Sequence, residues 1–285
     1  MSSLVGWRVP GGTSRVDGYE NLLLHDAVRA PRSPAPHPIW AFLAPQRGMG
    51  LSLGELFDVL GTPLDAGPVL GSFAARLHAP LRLGADHTVT GEVTSVVRRA
   101  SRVLGPFDEV TLVLELRRES PVITATYGFL LPRRDASDPA PSGPTRRREG
   151  PEGTAGEPIT VRAEEMKLLA LLLRDPNPIH LDADAAAALG FGPAVVNQGP
   201  ANLAYALTHL VRSRPGERLV AFDARFHATV VAGDVVRPVC DATGAFALLG
   251  ADDRPAVRGH AELVAASGGP DPEGASWDVS RARSP

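Results

Sequence analysis

Cysteine is almost missing from this chain: Cys240 is the only one among 285 residues. One thiol excludes an internal disulfide, and with it the small stapled scaffolds of secreted proteins; a reducing, cytoplasmic setting fits instead. Cys240 lies in a strand-like run and is expected to be a buried structural thiol. Aromatic residues are scarce at 5%, and charge of either sign nearly cancels, 29 Lys and Arg against 32 Asp and Glu. The net charge of -3 and the pI near 6.2 exclude the strongly basic face that a nucleic-acid partner requires. No apolar run approaches the roughly 20 residues of a membrane-spanning helix. The opening MSSLVGWRVPGG lacks the basic segment and apolar core of a secretory signal. No membrane partner is therefore expected.

What the chain does have is enough apolar residue, 44%, to pack a core, and enough length for two ordinary domains. Residues 133–157, RRDASDPAPSGPTRRREGPEGTAGE, contain no large apolar side chain and read as a flexible linker. The tail 267–285 has nearly the same character and reads as disordered. Residues 1–132 and 158–266 remain as two compact parts. They look like a repeat. SFAARLHAPLRLG from Ser72 matches AFDARFHATVVAG from Ala221, with Phe73 on Phe222 and Gly84 on Gly233, an offset of 222 − 73 = 149. The same offset lays NLLLHD, Asn21 to Asp26, on ALLLRD, Ala170 to Asp175. Helices are expected over Ala163–Leu173 and Gly199–Arg212, the latter with Leu203, Leu207 and Leu210 at spacings of three and four. Strands are expected over Val220–Val231, Val235–Leu249 and Arg254–Ala265, and over Val89–Val97, Val110–Leu116 and Val122–Leu131 in the first part. Each part is thus α+β, helix followed by antiparallel strands.

The second part carries a chemically loaded stretch, RDPNPIHLDADAAAALGFGPAVVNQG from Arg174 to Gly199. Pro176 and Pro178 fix φ and hold the preceding residues extended, so Asp175, Asn177 and His180 are carried by a stiff bend. An acid and an imidazole on one rigid loop form a plausible general acid/base pair. Gly199 precedes Pro200, a residue suited to a first helical turn, so Gly199 is expected to be the N-cap. The N–H groups of Gly199, Ala201 and Asn202 are expected to face a ligand there.

Asp175-x-Asn177-Pro178-x-His180, the alanine-rich run from Ala183 and the later Gly199 resemble the hydratase signature of the MaoC-like family. That family comprises (R)-specific enoyl-thioester hydratases and 3-hydroxyacyl-thioester dehydratases. The resemblance implies a tandem, or double, hotdog, each half a curved antiparallel sheet wrapped around a central helix. It also implies an acyl-CoA or acyl-carrier-protein substrate, a hydro-lyase with no redox cofactor and no metal, and allows a homodimer of double hotdogs. Two positions depart from the family. Leu173 and Arg174 stand where a small residue and Gly are usual, and Gln198 stands where His is usual before the helix-starting Gly. Asp175 and His180 are the expected catalytic pair, with Asn177 orienting the water or the ring. Gly199, Gln198 and Ala201 are expected at the thioester oxygen.

In the first part the motif loop is replaced. At the offset of 149, Asp26 stands on Asp175, but Ala27 to Arg29 replace Pro-Asn-Pro and Pro31 takes the place of His180. The first part is expected to be a degenerate hotdog, and the chain to have one site. Trp40 and Phe42 there either fill the core or shape a larger acyl pocket. Three other readings stay open. A hotdog thioesterase would place a carboxylate on the central helix, and Gly199–Arg212 contains none. A non-catalytic partner subunit would be expected to lose Asp175 or His180. A dehydratase or cyclase of specialised metabolism, polyketide-like in acting on a carrier-bound acyl chain, would use the same pair. His78 and His227 recur in both parts and are expected to be structural. His25, His37, His87, His209 and His260 show no metal-ligand spacing. Arg98, Arg99, Arg102 and Arg146 to Arg148 are basic clusters that either stay solvated or attract phosphate.

Overall fold

The computed structural model describes residues 4–101, 105–133 and 151–266. The tail 267–285 and most of the expected linker lie outside them. Residues 151–157, grouped with that linker by composition, are described, and Thr154–Ala155 form a short strand, β6, paired with Val239 and Cys240.

The first half runs β1 (Gly12–Arg15), α1 (Gly18–Ala27), α2 (Trp40–Arg47), α3 (Leu53–Val59), β2 (Val69–Leu77), β3 (Asp86–Ser101), β4 (Gly105–Arg117) and β5 (Pro121–Pro132). After β6, the second half runs β7 (Ile159–Thr160), α4 (Ala163–Leu173), α5 (Ala183–Ala188), α6 (Gly199–Arg212), β8 (Glu217–Phe226), β9 (Val235–Cys240), β10 (Ala245–Leu249) and β11 (Pro255–Ala265). The strands pair antiparallel in the order β1-β3-β4-β5-β2-β8-β11-β10-β9-β6, with β7 also on β9. The sequence expected one strand over Val235–Leu249. Asp241 breaks it, because its carboxylate accepts the N–H groups of Thr243 and Ala245 and stabilises a turn in place of a ladder. Val220–Val231 likewise ends early, at Phe226.

The two halves are joined through β2 and β8, and their pairing exposes the repeat. Ala74 faces Asp223, Ser72 faces Arg225 and Arg76 faces Ala221. Since 223 − 74 = 149, the central pair is self-related under the offset, and a pseudo-twofold axis passes between these strands. The helices follow a different offset. The left-handed residue after α1 is Arg29, φ 52°, and that after α4 is Arg174, φ 51°, so the helix ends correspond at 174 − 29 = 145. The leucine runs matched at 149 are therefore about one helical turn out of structural register. Ala30, rather than Asp26, stands at the place of Asp175.

In each half the sheet curls around a central helix, α2 in the first half and α6 in the second, with one apolar core running through both. α6 is apolar on most of its circumference, and Leu203, Ala204, Leu207 and Leu210 are fully buried. Across the junction, the rings of Phe73 and Phe222 lie 5.7 Å apart, and Phe73 also meets Phe42 and Tyr127. Trp40 has no exposed surface and its indole N–H donates to the Asn21 side-chain oxygen. Phe42 therefore fills core, and Trp40 is buried while also lining a cavity. Cys240 is buried, and His78 holds Thr124 on the neighbouring strand. Arg98 and Arg99 are spent on cross-strand ion pairs with Asp108 and Glu109. Arg133 adds a second cation on Asp108. Arg102 and Arg146 to Arg148 lie outside the described residues.

Candidate active site

The site begins where α4 stops. Arg174 adopts a left-handed conformation, and the Asp175 N–H returns to the Ala170 carbonyl, turning the chain sharply out of the helix. A glycine would take this conformation without strain, whereas an arginine bears a Cβ clash of about 1 kcal/mol. The departure from the family pattern at this position thus retains the backbone shape and costs stability.

From there the loop is shaped by its own polar groups. One Asp175 oxygen accepts the Asn177 N–H at 3.0 Å, and the Asn177 side-chain oxygen accepts the Ile179 N–H at 3.3 Å. These two Asx turns lead into a single 3-10 turn, Pro178–His180, that presents the imidazole. Asn177 therefore acts on the backbone that carries His180. The loop has a small core of its own, Ile179, Ala186 and Val196 with Leu189, Phe191 and Val231 packed on it. It is tied to the body where the Val196 N–H meets the Ile179 carbonyl and the Asn197 N–H meets the Val230 carbonyl.

His180 is 8% exposed, and its Nδ1 lies 2.7 Å from the Val196 carbonyl. A carbonyl can only accept, so Nδ1 carries the proton and the neutral ring has its lone pair on Nε2. That Nε2 faces Asp175 Oδ2 at 3.4 Å. A carboxylate and an imidazole lone pair are both acceptors, and 3.4 Å is long for a direct bond, so the two atoms together make a receptor for a donor such as water. Sequence reading could not find Val196, because its part is played by a backbone carbonyl.

The N-terminus of α6 differs from expectation in one respect. Gln198 is the N-cap, and its carbonyl accepts the N–H groups of Ala201 and Asn202 at 3.0 and 3.1 Å. Those two donors are spent within the helix; Pro200 has none, which leaves the Gly199 N–H. A Cβ on Gly199 would meet the Phe226 ring at 3.3 Å and Leu70 at 3.5 Å. Leu70 belongs to β2, so the first half lines this point. The Gln198 side chain is fully buried and its amide donates to the Met166 carbonyl, locking α6 onto α4. On the same helix, burial pushes the Tyr205 phenol up to about 12, so the ring stays neutral. Among the described residues no group of His, Cys, Asp and Glu could hold a metal ion.

One continuous antiparallel sheet, each half of it curled around a central helix, defines a double hotdog, with a polar constellation between the second-half loop and the α6 N-terminus. The comparisons agree. Residues 148–246, most of the second half, match the family model of the MaoC like domain. HtdX from Mycobacterium tuberculosis superposes with a TM-score of 0.69 at 15% identity, covering 88% of this chain and 98% of that one. A MaoC-like dehydratase from Phytophthora capsici gives 0.67 at 14%, covering 92% and 96%. A further Mycobacterium tuberculosis protein, described as having a double hotdog fold, gives 0.57 at 13%, covering 91% and 96%. No functionally curated protein matches the chain.

Proposed function

We propose that the second half adds water across the 2,3 double bond of an acyl thioester, and removes it in the reverse direction. The observation that carries this is the lone pair of His180 Nε2 held 3.4 Å from Asp175 Oδ2. A water donating to both acceptors is oriented with its oxygen toward the substrate. As that oxygen bonds to C3, the pair takes one water proton and C2 receives one, so the proton count balances over the turnover. The electron pair leaving the double bond passes to the thioester oxygen, and the Gly199 N–H, backed by the positive end of α6, would receive it. Gly199 allows that approach because it has no Cβ. Ala201 and Gln198 support the helix start, with their own donors already engaged.

The match of residues 148–246 to the MaoC like domain supports the hydratase/dehydratase class. The (R) configuration follows the resemblance, and the acyl group arrives on coenzyme A or on a carrier protein. The test is loss of enoyl-thioester absorbance with crotonyl-CoA, a longer trans-2-enoyl-CoA and a carrier-bound enoyl group. Wild type should hydrate at least one, and Asp175→Asn and His180→Ala should each lose about 10² to 10⁴ in rate. A folded wild type silent on all three, or variants that keep full rate, would reject the reading.

A further inference from the structure

A cavity of about 520 Å3 lies between the first half and the end of α6 and start of β8, and involves neither Asp175 nor His180. Its place is set by the pseudo-twofold axis. Around Gly199 the walls are Phe226 and Leu70. The cavity is walled by Leu77 and Leu219, and 226 − 77 = 149 and 219 − 70 = 149, so these are the symmetry counterparts of the same two residues. Ala30, at the place of Asp175, also lines it, as does Trp40 from the start of α2. The cavity is thus the counterpart of the active site in the degenerate half.

Most of its wall is apolar, with Arg212, Glu217 and Arg218 on the second-half side, and two histidines are buried in it, 4% and 3% exposed, with rings 5.3 Å apart. His37 is fully engaged: Nδ1 accepts the Ile39 N–H, and Nε2 donates to the Thr208 hydroxyl. Burial and the neighbouring His25 push its pKa down to about 3, so it stays neutral. His25 is different. Its Nδ1 donates to the Pro31 carbonyl, and its buried Nε2 has no partner among the described residues. This repeats the arrangement of His180, a ring fixed through Nδ1 with the Nε2 lone pair left over. An unpartnered buried acceptor in an apolar chamber calls for a ligand with one donor. Without an acid at position 30, no proton-transfer pair forms.

We propose that the first half binds, without reacting, an aliphatic chain carrying a hydroxyl, which donates its hydrogen bond to His25 Nε2. The chemistry selects an alcohol over an ether or an alkane, because only the alcohol satisfies the ring. The test is calorimetric titration of the full chain with 1-heptanol and with heptyl methyl ether. One equivalent of the alcohol should bind, about tenfold tighter than the ether. Ala79→Phe, which fills the cavity from a half-exposed position, should abolish that binding and leave the hydration rate unchanged. Ala30→Leu is a second filling variant should the first misfold, and His180→Ala should bind the alcohol normally. No binding, equal affinity for alcohol and ether, or binding that survives in a folded filling variant would overturn the proposal. A hydratase inactive on every thioester that still binds heptanol at this cavity would separate the two proposals.

Discussion

Trp40 and Gly199 are each the first residue of the central helix that their half wraps with its sheet. One is a fully buried indole held by Asn21, and the other has no side chain and an N–H with no hydrogen bond found among the described residues. The loops before them differ in the same sense. The second-half loop spends its Asx groups on its own backbone and frees His180 Nε2 beside a carboxylate. The corresponding stretch of the first half has Ala30 and Pro31, and its buried imidazoles lie against apolar wall. The lesson is that a duplicated fold can divide its tasks. One copy leaves donors and acceptors open, as the proposed hydration requires, and the other turns the same positions into core and a largely apolar cavity.

The largest effect should come from the catalytic side. In the double variant Asp175→Asn/His180→Ala the rate should fall little further than in either single variant, since the two groups act on one water. Multiplicative losses in the absorbance assay would mean that they act separately. On the structural side, Trp40→Ala should cost about 3 to 5 kcal/mol of stability in denaturant unfolding while the rate per folded molecule holds. A rate that fell with intact folding would place Trp40 at the substrate.

His37 gives a pH signature peculiar to the first half. Its folded pKa is depressed to about 3 from the ordinary 6.5, so between those values the unfolded chain binds more protons and stability drops as pH falls. The expected loss is about 2 kcal/mol at pH 5 relative to neutral pH. His37→Gln should flatten that slope in melts recorded from pH 7 to 5. Gly199→Ala presses a methyl toward Phe226 and Leu70 and should reduce kcat/KM by about tenfold, roughly 1.4 kcal/mol. The smallest effect should be a gain. Arg174→Gly relieves the left-handed strain and should add about 0.5 to 1 kcal/mol of stability with little change in rate, read as a higher Tm.

Much was legible in the sequence because it is local or periodic. The helices Ala163–Leu173 and Gly199–Arg212 match the structure to the residue, since leucines at spacings of three and four and the Pro200 start define them without outside help. The strand repeat around Phe73 and Phe222 was visible as identity at one offset. The helix register was not, because leucine runs look alike when shifted by a turn and only the left-handed residues Arg29 and Arg174 mark where the helices end. The short strands β1, β6 and β7 carry too few residues for an alternation to show.

The sequence by itself determined the double α+β architecture, the stiff loop and the residue types on it, because prolines, Asx turns and apolar periodicity act over a few neighbouring positions. Only the tertiary structure decided which atoms are free to act. His180 Nε2 is an acceptor because a carbonyl 16 residues later, Val196, takes the other nitrogen. Gly199 is the one open donor of its turn because Gln198 takes the next two. A hydrogen bond removes a group from chemistry as surely as a mutation does, and its partner is chosen by the fold.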